Sequence, residues 1–147
     1  MQHATERLSR DRVYTLQPTV PRALLELGKD AAGSLDPSLI HLINVRVSQL
    51  NGCVFCLRMH SDEARRDGEQ QSRLDVLSAW REASEFSVRE RAALAWAEVL
   101  TDISHKPVGD QVYREVSDHF TEAELVNLTA VILQINCWNR LAISFRF

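Results

Sequence analysis

Two cysteines and a histidine stand close together in the segment NGCVFCLRMH, residues 51–60. Cys53 and Cys56 are three residues apart, and His60 follows four residues after the second cysteine. On an α-helix, residues at these spacings share one face, so the two thiols and the imidazole would line up. Such a set suits redox chemistry, because a thiolate is the reactive form of cysteine and a second thiol can trap an oxidised sulfur as a disulfide.

The residues before the pair predict that it lies at the beginning of a helix. Asn51 and Gly52 are typical of the end of one helix, and a new helix would then carry the two cysteines in its first turns. Unpaired backbone N–H groups and the positive end of the helix dipole favour a thiolate there. A neighbouring imidazole can accept the thiol proton and lower the apparent pKa further. The segment therefore predicts a redox pair with its own base.

Other interpretations of the segment remain open but fit it less well. A structural zinc site needs further ligands, commonly a second CxxC or a distant pair of histidines, and the sequence has neither. A c-type haem needs a histidine directly after the second cysteine, where Leu57 stands. A thioredoxin-type CxxC belongs in a βαβ unit. The simplest alternative is two packed core cysteines beside a helical histidine. We expect no metal and no cofactor.

The elements that must position these residues are helical along the whole chain. Asp36 and Pro37 are typical of an N-cap followed by proline at the first helical position, and Gly68 of a C-cap. The sequences SVRE and TEAE, at 87–90 and 121–124, are capping boxes, the second opening a long apolar helix. Together the patterns predict helices over 18–32, 37–50, 53–67, 70–80, 109–120 and behind both capping boxes. No segment alternates like a strand, so the predicted fold is all-α.

Composition and charge are those of an ordinary globular protein. The chain has 147 residues, of which 45% are hydrophobic and 25% charged, with a net charge of −3. We expect one domain over residues 1–147, with no basic patch for nucleic acid and no apolar stretch long enough for a membrane. The polar N-terminus does not resemble a signal peptide. Three cysteines cannot all pair within one chain, so the expected location is the reducing cytoplasm.

The sequence around the cysteines resembles a known family. VRVSQLNGCVFCLRMH, at 45–60, is similar to the core motif of the alkylhydroperoxidase AhpD-like, or carboxymuconolactone decarboxylase-like, proteins: a CxxC with a histidine four residues on. Four flanking segments are similar to the same family, so the resemblance spans about residues 39–147. They are EARRDGE at 63–69, LSAWRE at 77–82, FSVRERAALAWAE at 86–98 and INCWNRL at 135–141.

The resemblance implies an all-α fold with the CxxC at the start of a helix, assembled as a trimer or hexamer. It also implies that the protein reduces a small organic hydroperoxide, with a dithiol or a lipoyl-bearing protein as reductant. By the family pattern Cys56, next to His60, attacks the peroxide and Cys53 resolves the sulfenic acid as a disulfide. Helix position alone would favour Cys53 as the thiol of lower pKa. We follow the family pattern, because a base one helical turn away should lower the pKa of a thiol more than a position half a turn nearer the helix N-terminus does.

One position departs from the family pattern. The family has a glutamate twelve residues before the first cysteine, and His41 stands there in this chain. If the two helices fold back on each other at Asn51 and Gly52, residue 41 comes within about a turn of His60, so we expect His41 in the site. An imidazole cannot supply the negative charge that would raise the basicity of His60.

Two other functions therefore remain in view. The missing glutamate favours a redox sensor or binding module that keeps the CxxC without efficient turnover. The second name of the family points to a lactone decarboxylase or isomerase. Relatives of that kind do not rely on a CxxC, so its presence argues against this function.

Several further polar residues are given structural roles. Cys137, in an apolar helix, is expected to be a small core residue. Glu63, one turn after His60, could either orient the imidazole or point to solvent. Asn136, Asn139 and Arg140 interrupt an apolar helix, which is costly unless they are paired. We favour a structural role for these three residues, with a role in the site as the lesser alternative.

Overall fold

Within residues 5–147, which the computed structural model describes, the chain forms eight α-helices and one short 3-10 helix, and no strand. The all-α prediction is confirmed. None of these helices is both long and apolar enough to cross a membrane. The helices are α1 (Arg10–Leu16), α2 (Thr19–Ala32), α3 (Pro37–Asn51), α4 (Val54–Arg66), α5 (Gln71–Val76), the 3-10 helix (Leu77–Ala79), α6 (Val88–Thr101), α7 (Asp110–Ser117) and α8 (Glu122–Phe145).

Side-chain caps fix where the helices begin, as the sequence predicts. The Asp36 carboxylate accepts a hydrogen bond from the backbone N–H of Ser38 at 2.8 Å, at the start of α3. Ser87 and Thr121 each form a complete capping box, which opens α6 and α8 respectively. Each cap satisfies backbone N–H groups that have no partner within the helix.

Two segments differ from the predicted pattern. The polar segment at residues 10–16 was not predicted to be helical and forms α1, which Ser9 caps by accepting from the N–H of Arg12. Only Val13 of this helix is buried, so apolar periodicity could not reveal it. The helix predicted over 70–80 leaves the α conformation after Val76 and continues as the 3-10 helix, a tighter turn that is common at helix ends.

The central helix of the core is α3, which packs against α4, α6 and α8. Its residues Leu42, Ile43 and Val47 are completely buried, and its buried positions lie all around the helix, as expected for a helix enclosed by others. The long helix α8 also packs along α2. This arrangement matters for function because the C-terminal end of α3 and the N-terminal end of α4 meet against α8.

Candidate active site

The cysteine pair is held at a tight junction between α3 and α4. Gly52 ends α3 in the left-handed conformation, with φ of 66°, and the Cys53 N–H donates to the Ser48 carbonyl at 3.0 Å. Cys53 is the N-cap of α4: its sulfur accepts a hydrogen bond from the backbone N–H of Cys56 at 3.4 Å. The helix thus begins at Val54, one residue later than predicted, and Cys53 precedes it as the capping residue.

Both thiols are buried, and burial controls the protonation of Cys56. Cys53 and Cys56 are each 1% exposed, and they do not form a disulfide with each other in the structure. Burial raises the pKa of Cys56 to about 12; a hydrogen bond with Cys53 also raises it, whereas one from Asn139 lowers it. The thiolate predicted from the helix dipole and the nearby imidazole is therefore not favoured in the resting protein. Cys56 needs a base to take its proton when it reacts.

His60 is arranged to be that base. Its Nδ1 lies 2.9 Å from Oε2 of Glu63, and since a carboxylate only accepts, Nδ1 carries the hydrogen and Nε2 carries the lone pair. Nε2 is buried and has no hydrogen-bond partner among residues 5–147. Burial lowers the pKa of His60, although the charge and hydrogen bond of Glu63 act in the opposite direction. The ring is therefore neutral at pH 7 with a free acceptor.

His41 occupies a neighbouring position. Its Nε2 lies 2.7 Å from Asp67, and it borders a polar cavity that does not include the cysteines. Burial and Glu63 affect the pKa of His60 most, and charge on His41 lowers it further. The negative charge whose absence the sequence suggested is present after all, because Glu63 supplies a carboxylate to His60 from the same helix.

A cavity of about 440 Å³ lies beside Cys56 and His60. Residues from α1, α2, α3, α4, α8 and the C-terminus line it, and most of its wall is apolar or aromatic. The apolar and aromatic members are Tyr14, Pro21, Leu25, Ile40, Phe55, Met59, Trp138, Ala142 and Phe147, and the polar ones besides the site are Arg10, Asn44 and Gln134. Cys53 borders a different cleft, on the side of Val54 and Ile143. A ligand in the cavity of about 440 Å³ therefore lies against Cys56, and Cys53 is not part of that wall.

Sequence reasoning missed most of this wall. Tyr14 belongs to the unpredicted helix α1, and Trp138 comes from the apolar helix α8. Asn139, for which the sequence favours a structural role, with a role in the site as the lesser alternative, is completely buried in α8 and is not part of this wall.

Cys137 is not a core residue as predicted. It is exposed and lines an open groove of about 780 Å³ between α2 and α8, with Val20, Leu24 and Leu141. The side chains of its neighbours Trp138 and Asn139 point to the interior, so the helical turn directs Cys137 outward. It does not share the cavity of the CxxC pair. Among residues 5–147 no group of three or more His, Cys, Asp or Glu side chains could hold a metal ion.

The fold and the CxxC at the start of a helix are those of AhpD-like proteins. The chain belongs to the carboxymuconolactone decarboxylase family, which matches residues 18–99. It is 39% identical over 132 residues to the uncharacterised protein YdfG of Bacillus subtilis (strain 168), covering 89% of this chain and 90% of YdfG.

Solved structures agree with this assignment. A protein of unknown function from Agrobacterium tumefaciens, described as a candidate antioxidant defence protein AhpD, is 34% identical with a TM-score of 0.88. The comparison covers 97% of this chain and 96% of that protein. The debrominase Bmp8 shares the fold, with a TM-score of 0.75 and 19% identity over 99% of this chain and 91% of that chain.

Proposed function

We propose that the protein is a thiol-dependent peroxidase that reduces a small organic hydroperoxide with its CxxC pair. The observation that carries the proposal is that Cys56 and His60 line one largely apolar cavity, and that Nε2 of His60 has no hydrogen-bond partner among residues 5–147. Glu63 holds the ring in the tautomer that can accept a proton there. Apolar walls suit the organic group of a hydroperoxide.

The first step uses Cys56 and His60. His60 Nε2 accepts the thiol proton as the sulfur attacks the terminal oxygen of the hydroperoxide, and the O–O bond breaks. The leaving alkoxide takes the proton back from the imidazolium and departs as an alcohol. Cys56 keeps the terminal oxygen as a sulfenic acid. Because burial lowers the pKa of His60, the imidazolium readily gives up its proton in this second half of the step.

The second step uses Cys53. Its thiol attacks the sulfur of the sulfenic acid, the S–O bond breaks, and the hydroxide leaves as water with the proton of Cys53. The result is a Cys53–Cys56 disulfide, and the two residues are already in contact through the cap of α4. A dithiol of the dihydrolipoyl type, free or attached to a protein, is the proposed reductant, which returns both cysteines to thiols and is itself oxidised to a disulfide.

Peroxide turnover with cysteine variants tests this function. We expect the wild-type protein to consume many equivalents of tert-butyl hydroperoxide per chain in the presence of dihydrolipoamide. Cys56→Ser should consume none, and Cys53→Ser should form one sulfenic acid per chain, trapped with dimedone, without turning over. Cys137→Ser is the matched control and should behave like wild type. If Cys56→Ser forms the sulfenic acid and Cys53→Ser does not, the two roles are reversed.

His41, at the position where the family has a glutamate, favours a second candidate function, a redox sensor that is oxidised without efficient turnover. The same experiment separates the two functions. A sensor would consume a single equivalent of peroxide per chain, and added dihydrolipoamide would not sustain further consumption.

A further inference from the structure

Four polar side chains connect α3 to α8 directly behind the CxxC pair. The Nδ2 atom of Asn51 lies 3.0 Å from Oδ1 of Asn136 and 3.0 Å from Oδ1 of Asn139. The Nδ2 atom of Asn139 lies 3.0 Å from the hydroxyl oxygen of Ser48. Asn139 and Ser48 are completely buried, where an amide is costly unless its groups are hydrogen-bonded. These four residues form what we call the amide chain.

The contacts of Asn136 determine which group donates and which accepts in each hydrogen bond of the amide chain. Arg140, which can only donate, lies with Nη1 2.8 Å from Oδ1 of Asn136. The carbonyl of Ile132, which can only accept, lies 2.9 Å from Nδ2 of Asn136. Asn136 therefore presents its oxygen to Asn51, and Asn51 faces its two partners with its NH₂ group.

This polarity determines what Asn139 can offer to its surroundings. Because Asn51 donates, Asn139 accepts with Oδ1, and its Nδ2 is left to donate with two N–H groups. Ser48 takes one of them. Among residues 5–147, the hydrogen bonds of the Asn139 side chain to Asn51 and Ser48 leave the second N–H without an oxygen acceptor.

The side chain of Asn139 lies on the face of α8 that packs against the cysteines. Trp138 and Ala142, which flank Asn139 on α8, pack against the cluster formed by Cys53 and Cys56. Ser48, the other partner of Asn139, binds the backbone N–H of Cys53 through its carbonyl. In agreement with this placement, the hydrogen bond of Asn139 opposes the effect of burial and lowers the pKa of Cys56.

We infer that Asn139 is a catalytic residue that donates a hydrogen bond to the Cys56 sulfur as it becomes a thiolate, and that Asn51, Asn136 and Ser48 position it. The inference deepens the proposed function, on which it rests in taking Cys56 as the attacking sulfur. A charge that develops in an apolar site is strongly stabilised by a donor that is already oriented. A hydrogen bond from an N–H group to a charged atom changes an equilibrium constant by about a factor of ten or more. Removal of this hydrogen bond should therefore lower the reactivity of the Cys56 thiol measurably.

The titratable and charged groups around Cys56 must stay constant in the test. Helix α1 contributes Arg10 and Tyr14, and α4 with its N-cap contributes Cys53, His60 and Glu63. His41 of α3 acts indirectly, through its charge on His60. The residues that α2 and α8 contribute to the cavity are uncharged. Replacement of an asparagine by alanine changes none of these charges.

The experiment measures the alkylation rate of Cys56 by iodoacetamide against pH, in a chain with Cys53→Ser and Cys137→Ser so that a single thiol reacts. We expect Asn139→Ala to slow alkylation about tenfold at pH 8 and to move the pH profile upward by about one unit. Asn136→Leu, which leaves Asn139 in place but releases Asn51, should have the same effect to a smaller extent. Asn127→Ala is the matched control, an asparagine of α8 that bonds the Ser34 hydroxyl and lies outside both the amide chain and the cavity.

Alkylation needs no peroxide, so the result is independent of whether the protein turns over hydroperoxides. Circular dichroism identifies any variant that does not fold, and Asn136→Leu, at a partly exposed position, tests the inference should Asn139→Ala be unfolded. An unchanged profile in folded Asn139→Ala, or in Asn136→Leu if only that variant folds, would overturn the inference. An equal shift in Asn127→Ala would also overturn it, because the effect would then follow from the loss of any asparagine of α8.

Discussion

His60 receives its carboxylate partner from its own helix. Glu63, three residues on, holds Nδ1 at 2.9 Å, and its side chain is 36% exposed, so one side of the carboxylate remains in water. The charge and the hydrogen bond of Glu63 both raise the pKa of His60 against the effect of burial. Glu63 therefore keeps a buried imidazole basic enough to accept a proton from a thiol.

Glu63→Gln tests this role, because it removes the charge and keeps an oxygen that can accept from Nδ1. The pKa of His60 should fall further, since burial then acts without an opposing charge. A base of lower pKa stays deprotonated to lower pH, so the acidic limb of the peroxide rate should move to lower pH, and the plateau rate should fall roughly threefold to tenfold.

The measurement is the rate of tert-butyl hydroperoxide consumption between about pH 4.5 and 8. Asp62→Asn is the control, since it removes a carboxylate on the same helix that pairs with Arg65 at the surface. A shift of the acidic limb to higher pH in Glu63→Gln would contradict the assignment of His60 as the base.

The sequence predicted that Cys56 and His60 share a face of one helix, and both line the same cavity, but it did not show how they are protonated. Spacing on a helix was enough to place Cys56 beside His60, because helical geometry is regular. It could not decide whether Glu63 faces the ring or the solvent. It also could not predict the burial of Cys56 beneath residues of α1 and α8, which raises the pKa of this thiol. For His41, the predicted hairpin is present, but Asp67 holds the ring in a separate polar cavity.

At the scale of the elements, one glycine joins the two helices that carry the site. Gly52 has φ of 66°, and a Cβ at this position would meet no atom within 4 Å, so only backbone conformation opposes a side chain there. Gly52→Ala should therefore lower the free energy of unfolding by about 1 kcal/mol without overpacking the site. Urea unfolding followed by circular dichroism measures the change.

Gly33→Ala is the matched control for this prediction. Gly33 ends α2 with φ of −61°, which alanine adopts freely, and the added Cβ would make only an ordinary contact at 3.6 Å. Its stability should stay equal or rise slightly. Equal losses in both variants would show that the left-handed turn at Gly52 is not what the protein requires of this residue.

Helices with strong caps or a long apolar face were predictable, and α1 was not. The caps at Asp36, Ser87 and Thr121 act locally, so they can be read from a few adjacent residues. The helix α1 is short and polar, and it is held by contacts with distant segments, among them the ring of Tyr14 against Trp138 and Phe147. Since Tyr14 forms part of the cavity wall, the shape of the cavity could not be predicted either.

At the scale of the whole molecule, the three cysteines have very different access to solvent. Cys137 is exposed, whereas Cys53 and Cys56 are buried. Iodoacetamide added to the native reduced protein should therefore modify Cys137 first, with Cys53 and Cys56 reacting at least about tenfold more slowly, because burial hinders access to both sulfurs and raises the pKa of Cys56. Mass spectrometry of peptides measures the order, and the protein in urea, where all three should react alike, is the control.

Mild oxidation gives a complementary result on the same molecule. A disulfide between Cys53 and Cys56 within one chain is expected, and Cys137 should remain a free thiol. A bond between Cys53 and Cys137 would contradict the separation of the groove from the cysteine pair, and a bridge between two chains would contradict the expected pairing within one chain.

The cap of α4 is a sulfur instead of the usual hydroxyl or carboxylate. In the proposed reaction the sulfur of Cys53 bonds to the sulfur of Cys56. The backbone N–H of Cys56 then loses its acceptor each time the disulfide forms. The first turn of α4 would then fray more easily in the oxidised chain than in the reduced one, so local rigidity would follow the redox state. A reducing partner would bind the oxidised chain, in which the first turn of α4 is looser. The disulfide would therefore be most accessible in the state in which it has to be reduced.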